Sequence, residues 1–201
     1  TESVWWAFKK LHDKGLIYEG FKVMQLCPRC ETTLSNFEVA QGYKDIADLS
    51  AFVRFELVDS PKTYVLAWTT TPWTLPGNVA LAVGKSIEYV EASFVGMEGT
   101  YIFAKSRIEQ VKIASKGDVK IIREVRGSEL VGKSYKPPFA YYTKDTSIKN
   151  RANAWKIYSA DFVTTEDGTG VVHIAPAFGA DDYTLSLVHS LPFIQHVSPD
   201  G

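Results

Sequence analysis

Trp68-Thr69-Thr70-Thr71-Pro72-Trp73-Thr74-Leu75-Pro76-Gly77-Asn78 and Gly168-Thr169-Gly170-Val171-Val172-His173-Ile174-Ala175-Pro176-Ala177-Phe178-Gly179-Ala180-Asp181-Asp182-Tyr183 decide how this chain reads. Each segment follows or contains an apolar, strand-like run and then breaks into turn-forming residues. A rigid sheet presents polar groups at its rim in this way. Together they read as two walls of one pocket. Thr69, Thr70 and Thr71 offer hydroxyl donors and acceptors, Asn78 adds an amide, and Asp181 or Asp182 can hold a cation such as an α-ammonium group. Such a lining suits an amino acid joined to a sugar.

Outward from these segments the text is mostly short strands. Alternation or short apolar runs predict strands at 51–58, 63–69, 79–83, 89–94, 100–104, 119–125, 139–142, 155–158, 170–174 and 192–197, separated by turn signals such as Pro76-Gly77 and Pro137-Pro138. Within this part the expected helices are at 106–111 and 181–190, and the polar stretch 143–153 reads as an exposed excursion. The expected fold is mainly β with a few short helices, forming a closed or nearly closed β-barrel.

The first 46 residues differ in character. Val4, Trp5, Phe8 and Leu11 recur at helical spacing over 3–14, with Ser3 as a candidate N-cap and Gly15 as the stop. Cys27-Pro28-Arg29-Cys30 follows among short strands and turns, with the spacing of one zinc knuckle. One knuckle supplies two of the four ligands a structural site needs, and His12, His173, His189 and His196 show no ligand spacing toward it. The chain therefore divides into 1–46, a helix and half zinc-ribbon segment, and 47–201, the barrel.

Lys+Arg 22 against Asp+Glu 23 leaves a formal net charge of -1. There is no basic footprint of the kind that drives non-specific nucleic-acid binding, so if RNA is a ligand most of its affinity comes from elsewhere. A hydrophobic content of 45% fits a globular core. No apolar run approaches the roughly 20 residues a membrane span needs, and no signal-peptide plan opens the chain, so a cytoplasmic location with no membrane partner is expected. The abrupt ends at Thr1 and Gly201 suggest a piece cut from a longer protein.

The threonine-rich segment, the Gly-Thr-Gly segment ending in Asp181-Asp182-Tyr183, Cys27-Pro28-Arg29-Cys30 and Ser35-Asn36-Phe37-Glu38 together resemble the inserted editing domain of the isoleucyl branch of class I aminoacyl-tRNA synthetases. The resemblance covers nearly the whole chain. The valyl and leucyl branches carry Arg in place of Thr71 and an acidic residue in place of Trp73, so Thr71-Pro72-Trp73 and His173 point to the isoleucyl branch. The resemblance implies a hydrolase that removes misattached valine from the 3′ aminoacylated end of tRNA(Ile), and valyl-adenylate as a further substrate. It implies work alongside the remainder of the synthetase, as a monomer. Editing needs no cofactor. ATP belongs to a synthetic domain outside this sequence, and a structural zinc on Cys27 and Cys30 would need a second Cys pair, also outside it.

By the same resemblance Asp182, before the tyrosine, holds the α-ammonium group, with Asp181 as its rival. Trp68, Thr69, Thr70, Thr71, Trp73, Thr74, Asn78, His173 and Ala175 surround the terminal adenosine, the ester and the side chain. Asp182, Thr70 and Thr71 carry the reaction. No Ser-His-Asp or Cys-His arrangement is readable, so the expected chemistry is attack by a positioned water rather than an acyl-enzyme. Blander readings stand beside each role. The threonines can simply end a strand, the aspartates can serve a helix N-terminus, His173 can be a satisfied rim residue, and Trp73 can cap the barrel. Two functional alternatives also stay open: a non-catalytic module holding the aminoacyl-adenosine end or docking on a synthetase core, and valyl-type editing of threonyl-tRNA.

Overall fold

The structure, a computed structural model, describes residues 1–198 and residue 200. The expected second segment ends on Gly201, which with Pro199 lies outside the described residues.

None of residues 1–50 is buried. Helix α1 (Glu2–Asp13) begins one residue earlier than expected and has Thr1, not Ser3, at its N-cap, with no side-chain capping bond. Gly15 ends it at φ +69, as its freedom at positive φ allows. Strands β1 (Leu26–Cys27) and β2 (Thr32–Thr33) pair across the cysteine turn. Helix α2 (Asn36–Gln41) was not anticipated. Ser35 and Glu38 cap it reciprocally, the Ser35 hydroxyl accepting from the Glu38 N–H and the Glu38 carboxylate accepting from the Ser35 N–H.

From Ala51 onward the chain builds two sheets. The five-stranded sheet runs in the order β3 (Ala51–Glu56), β4 (Thr63–Thr69), β7 (Thr100–Ala104), β6 (Glu88–Phe94), β8 (Val119–Arg126). The three-stranded sheet runs β10 (Val171–Ile174), β5 (Ala80–Val83), β9 (Lys156–Ser159). The β4–β7 and β5–β9 pairs are parallel and the rest antiparallel.

Alternation explains the packing. Val65, Ala67, Ile102 and Ala104 face the other sheet, where they meet Leu81, Val83, Ile157 and Val171 in a core to which every strand from β3 to β10 contributes. The neighbours Leu66, Tyr101 and Phe103 point the opposite way, toward Val111 of α3 (Ile108–Ser115). Ala80, Ala82 and Ile174 likewise turn outward to meet Leu185 of α5 (Ala180–His189). The layers are therefore helix, sheet, core, sheet, helix. The short helix α4 (Gly127–Leu130) closes one end by burying Leu130.

The expected barrel is not closed. Its sheets join through single bridges, Leu57 with Tyr135 and Ser134 with Lys156, rather than through a continuous ladder. The joining segment lies between Gly132, at φ +86, and Pro137-Pro138, which lack N–H donors, so it is too short to pair as a regular strand. Two expected strands are also absent. Residues 139–142 form irregular chain and a turn, and 192–197 run without strand pairing, because Leu191 and Ile194 dock individually on the outer cluster. The stretch 143–153 is mostly turn, ending in a 3₁₀ turn at Arg151–Asn153.

The opposite seam is tied by the Gly-Thr-Gly segment. Thr169 donates its hydroxyl to the Leu66 carbonyl (2.6 Å) and its carbonyl accepts from Ala104 N–H (2.8 Å), while Tyr89 donates to the Gly170 carbonyl (2.7 Å). Gly170 has φ +72, and a Cβ there would stand 2.5 Å from the Ala104 Cβ. Gly170→Ala is expected to cost more than the roughly 1–2 kcal/mol of a left-handed residue alone, read as a lowered midpoint in chemical denaturation. An unchanged midpoint would mean that this seam is not tightly packed.

Candidate functional site

The chain crosses from one sheet to the other through a 3₁₀ helix (Pro72–Gly77) between β4 and β5. Pro72 suits its first turn because the missing N–H has no partner to lose there. The start of β5 pairs with the end of β10, Ala80 opposite Ile174. The threonine segment therefore reaches the same rim as Ala175 and the start of α5. Two segments far apart in sequence become the walls of one cavity of about 260 Å³.

Trp68, Thr69, Thr70, Thr71, Thr74, His173, Ala175 and Asp182 all line this cavity, as the sequence reading expected. Val172, Phe178 and Gly179 line it as well and were missed. Phe178 and Gly179 stood inside the quoted motif, where a glycine ahead of a helix was the available signal.

Three expected lining residues fall elsewhere. Trp73 is more than half exposed, its ring edge-on to Phe178 at 5.2 Å, and its carbonyl accepts from His196 Nε2 (2.9 Å). Asp181 is exposed because successive helical residues point about 100° apart, so only its neighbour turns inward. Asn78 is buried behind His173 and makes contact with it, not with the cavity.

Thr69 and Thr71 share a face, their hydroxyl oxygens 3.3 Å apart, and Thr69 Oγ1 also accepts from the Thr71 N–H (3.0 Å). Whichever hydroxyl donates to the other, one hydroxyl proton stays uncommitted.

Asp182 sits in the first turn of α5 and its Oδ2 accepts from the Ala175 N–H (2.8 Å). Burial pushes its carboxyl above the ordinary aspartate range, helped by the charge of Asp181 and opposed by the Ala175 bond. A desolvated carboxylate of this kind gains most from a cation brought beside it. Gly179 makes room for it, since a Cβ there would lie 3.0 Å from the Asp182 carboxyl carbon.

His173 is buried and bonded on both ring nitrogens, to the Thr74 hydroxyl (2.8 Å) and to Asn78 Nδ2 (2.9 Å). Burial pushes its pKa down to about 4, so the ring is neutral at physiological pH. Arg107, unnoticed in the sequence, donates to the carbonyls of Gly168 (3.0 Å) and Glu166 (2.8 Å) and holds that loop against the Trp68 ring.

Cys27 and Cys30 remain a pair. Among the described residues no cluster of three or more His, Cys, Asp or Glu could hold a metal, so the thiols alone do not make a zinc site. Hydrogen bonds to Cys27 from the Cys30 backbone and thiol lower its pKa, while the bond between the thiols and the charge of Cys27 raise that of Cys30. No helix among the described residues is long and apolar enough to cross a membrane.

The tRNA synthetases class I (I, L, M and V) family matches residues 1–169. The chain belongs to this class I tRNA synthetase family. The isoleucine–tRNA ligase of Bacillus thuringiensis (strain Al Hakam) is 48% identical over 200 residues, covering 100% of the chain and 18% of that protein. The chain thus spans under a fifth of that class I synthetase. Its fold is shared with a solved structure described as GlLeuRS-CP1, with a TM-score of 0.56, 20% identity and coverage of 69% of this chain and 59% of that one. A P. knowlesi cytosolic leucyl-tRNA synthetase editing domain gives a TM-score of 0.50 at 16% identity, covering 67% and 59%.

His173 gives this class I synthetase domain a pH dependence. Unfolded, a histidine titrates near 6.5, and folded, His173 titrates at about 4. Above 6.5 both states are neutral. Between the two values only the unfolded chain takes the proton, so stability falls as pH drops through that window, by ~3 kcal/mol in all. The raised carboxyl of Asp182 acts in the opposite sense, because the folded form takes that proton more readily, and it softens the lower end of the fall. Urea midpoints measured across the window should decline in the native chain and decline less in His173→Gln. Parallel curves would contradict a neutral buried ring.

Proposed function

We propose that this chain is an editing domain that hydrolyses the ester between valine and the terminal ribose of tRNA(Ile). Residues 47–201 carry the activity and residues 1–46 connect it to the remainder of the synthetase. The observation that carries this reading is the pairing, in one cavity of about 260 Å³, of a desolvated carboxylate with an uncommitted threonine hydroxyl. The volume falls below the roughly 300–1,000 Å³ of sites that enclose a drug-sized ligand. It suits a small amino acid whose adenosine stays at the mouth.

In this reading Asp182 binds the α-ammonium group of the misattached amino acid and fixes the ester beside the threonines. A water held by Thr69, Thr70 and Thr71 attacks. Its oxygen bonds to the carbonyl carbon, the bond to the ribose oxygen breaks, that oxygen takes one proton of the water, and valine leaves as its carboxylate while the second proton is released. The spare hydroxyl proton of the Thr69–Thr71 pair suits the negative oxygen formed on the way. Neutral His173, committed at both nitrogens, acts as wall rather than as base. Such a site answers a physical need, since a missing methylene gives a synthetic pocket only about 1–3 kcal/mol against valine.

Deacylation of valyl-tRNA(Ile) by the chain tests the assignment. Asp182→Ala should slow hydrolysis by about 10²-fold, the scale of a lost positioning contact, and lower the unfolding midpoint only slightly, since it frees the Ala175 N–H but also removes a desolvated carboxylate. Near-normal rates in that variant would remove Asp182 from the reaction. No hydrolysis by the folded native chain, together with retained binding of the aminoacyl-adenosine end, would favour a holding module instead.

A further inference from the structure

Asn78 lies outside the cavity, yet its amide is among the most completely engaged groups in the molecule. It is 3% exposed, and its own N–H is held by the Leu75 carbonyl (3.0 Å) while its carbonyl accepts from the Trp155 indole (3.2 Å). The side chain has three partners: the Ala80 carbonyl (3.0 Å), His173 Nδ1 (2.9 Å) and the Tyr135 hydroxyl (2.7 Å). A carbonyl can only accept, so the group facing Ala80 must be the amide nitrogen. The oxygen therefore faces Tyr135, which donates. The second amide proton then points at His173 Nδ1, which must be bare to receive it.

The other side of the ring leads to the same answer independently. Thr74 donates its hydroxyl proton to the Thr71 carbonyl (2.8 Å), which can only accept. Its oxygen is then free only to accept from His173, so Nε2 must carry the ring proton. Both ends of the chain of bonds select one tautomer. The Tyr135, Thr74 and His173 side chains are buried, at 2%, 5% and 8% exposure, and only Thr71 at the rim is exposed. A frustrated donor pair there would be costly.

We infer that Tyr135 and Asn78 are positioning residues that lock His173 as the Nε2–H tautomer, so that the ring reaches through Thr74 to fix the Thr71 carbonyl at the rim of the cavity. Tyr135 belongs to the bridging segment between the two sheets. It does not line the cavity, and acts on the wall through Asn78 to His173 and from there through Thr74 to Thr71. The consequence for editing rests on the function proposed above, whereas the tautomer itself does not. The other titratable group facing the ring's surroundings is Asp182, which lines the same cavity.

Long-range proton–nitrogen NMR of the imidazole rings in the chain reads the tautomer directly. The native chain should give His173 a protonated Nε2 and a bare Nδ1. Tyr135→Phe keeps the ring in the core but removes one of the two partners that orient Asn78, leaving the Ala80 carbonyl alone, so a minor signal from an Nδ1–H form should appear. Asn78→Asp presents an acceptor to Nδ1 and should move His173 to a protonated Nδ1, while Asn78→Gln should not restore the native pattern, its amide being set one methylene too far. An Nδ1–H signal in the native chain would overturn the inference even if no variant folded. An unshifted Nε2–H tautomer in folded Tyr135→Phe and Asn78→Asp would reduce both residues to core packing. Analogue binding in the same samples separates the two readings, since loss of the tautomer lock with binding intact leaves the proposed function standing.

Discussion

The bonds of His173 join the cavity's two walls, and the rest of the site depends on that junction. The ring belongs to β10 in the smaller sheet, whereas Thr74 belongs to the crossing that leaves the larger one. Without this link the crossing would keep the Leu75 side chain in the core and the bonds from His196 and Trp155 to its carbonyls, but not its tie to β10 through Thr74. The threonines line the same cavity as Asp182, which is secured to the end of β10 through Ala175. Orientation of this kind lowers a barrier without any strongly basic side chain. In the hydrolysis proposed above, the neutral His173 holds the wall and takes no proton.

Much of this was legible in the sequence because it rests on local pattern. The strands 63–69 and 100–104 were bounded correctly, since alternating apolar residues ending in turn formers leave little freedom of register. The two walls could be paired because each contained a strand followed by a break. Helix α2 was not expected, although Ser35 and Glu38, three residues apart, carry its capping-box signal.

Other features depend on contacts that no local pattern encodes. Asn78 reads as a pocket amide because it is polar and follows a turn, yet its partners come from His173 and Tyr135, both distant in sequence. The expected strand at 192–197 has a strand's composition, but Leu191 and Ile194 find separate places on the outer cluster and the backbone forms no strand pairing. Closure of the barrel failed for a related reason. Gly132 and Pro137-Pro138 confine the joining segment to single bridges, and that irregular seam places Tyr135 against Asn78.

The central claim is that the cavity is a size sieve anchored by a carboxylate. Titration of non-hydrolysable valyl-adenosine and isoleucyl-adenosine analogues into the chain tests it most directly. The account predicts saturable binding of the valyl compound and much weaker binding of the isoleucyl one, with the valyl affinity lost in Asp182→Ala. Equal affinity for the two compounds, or an affinity indifferent to Asp182, would contradict it.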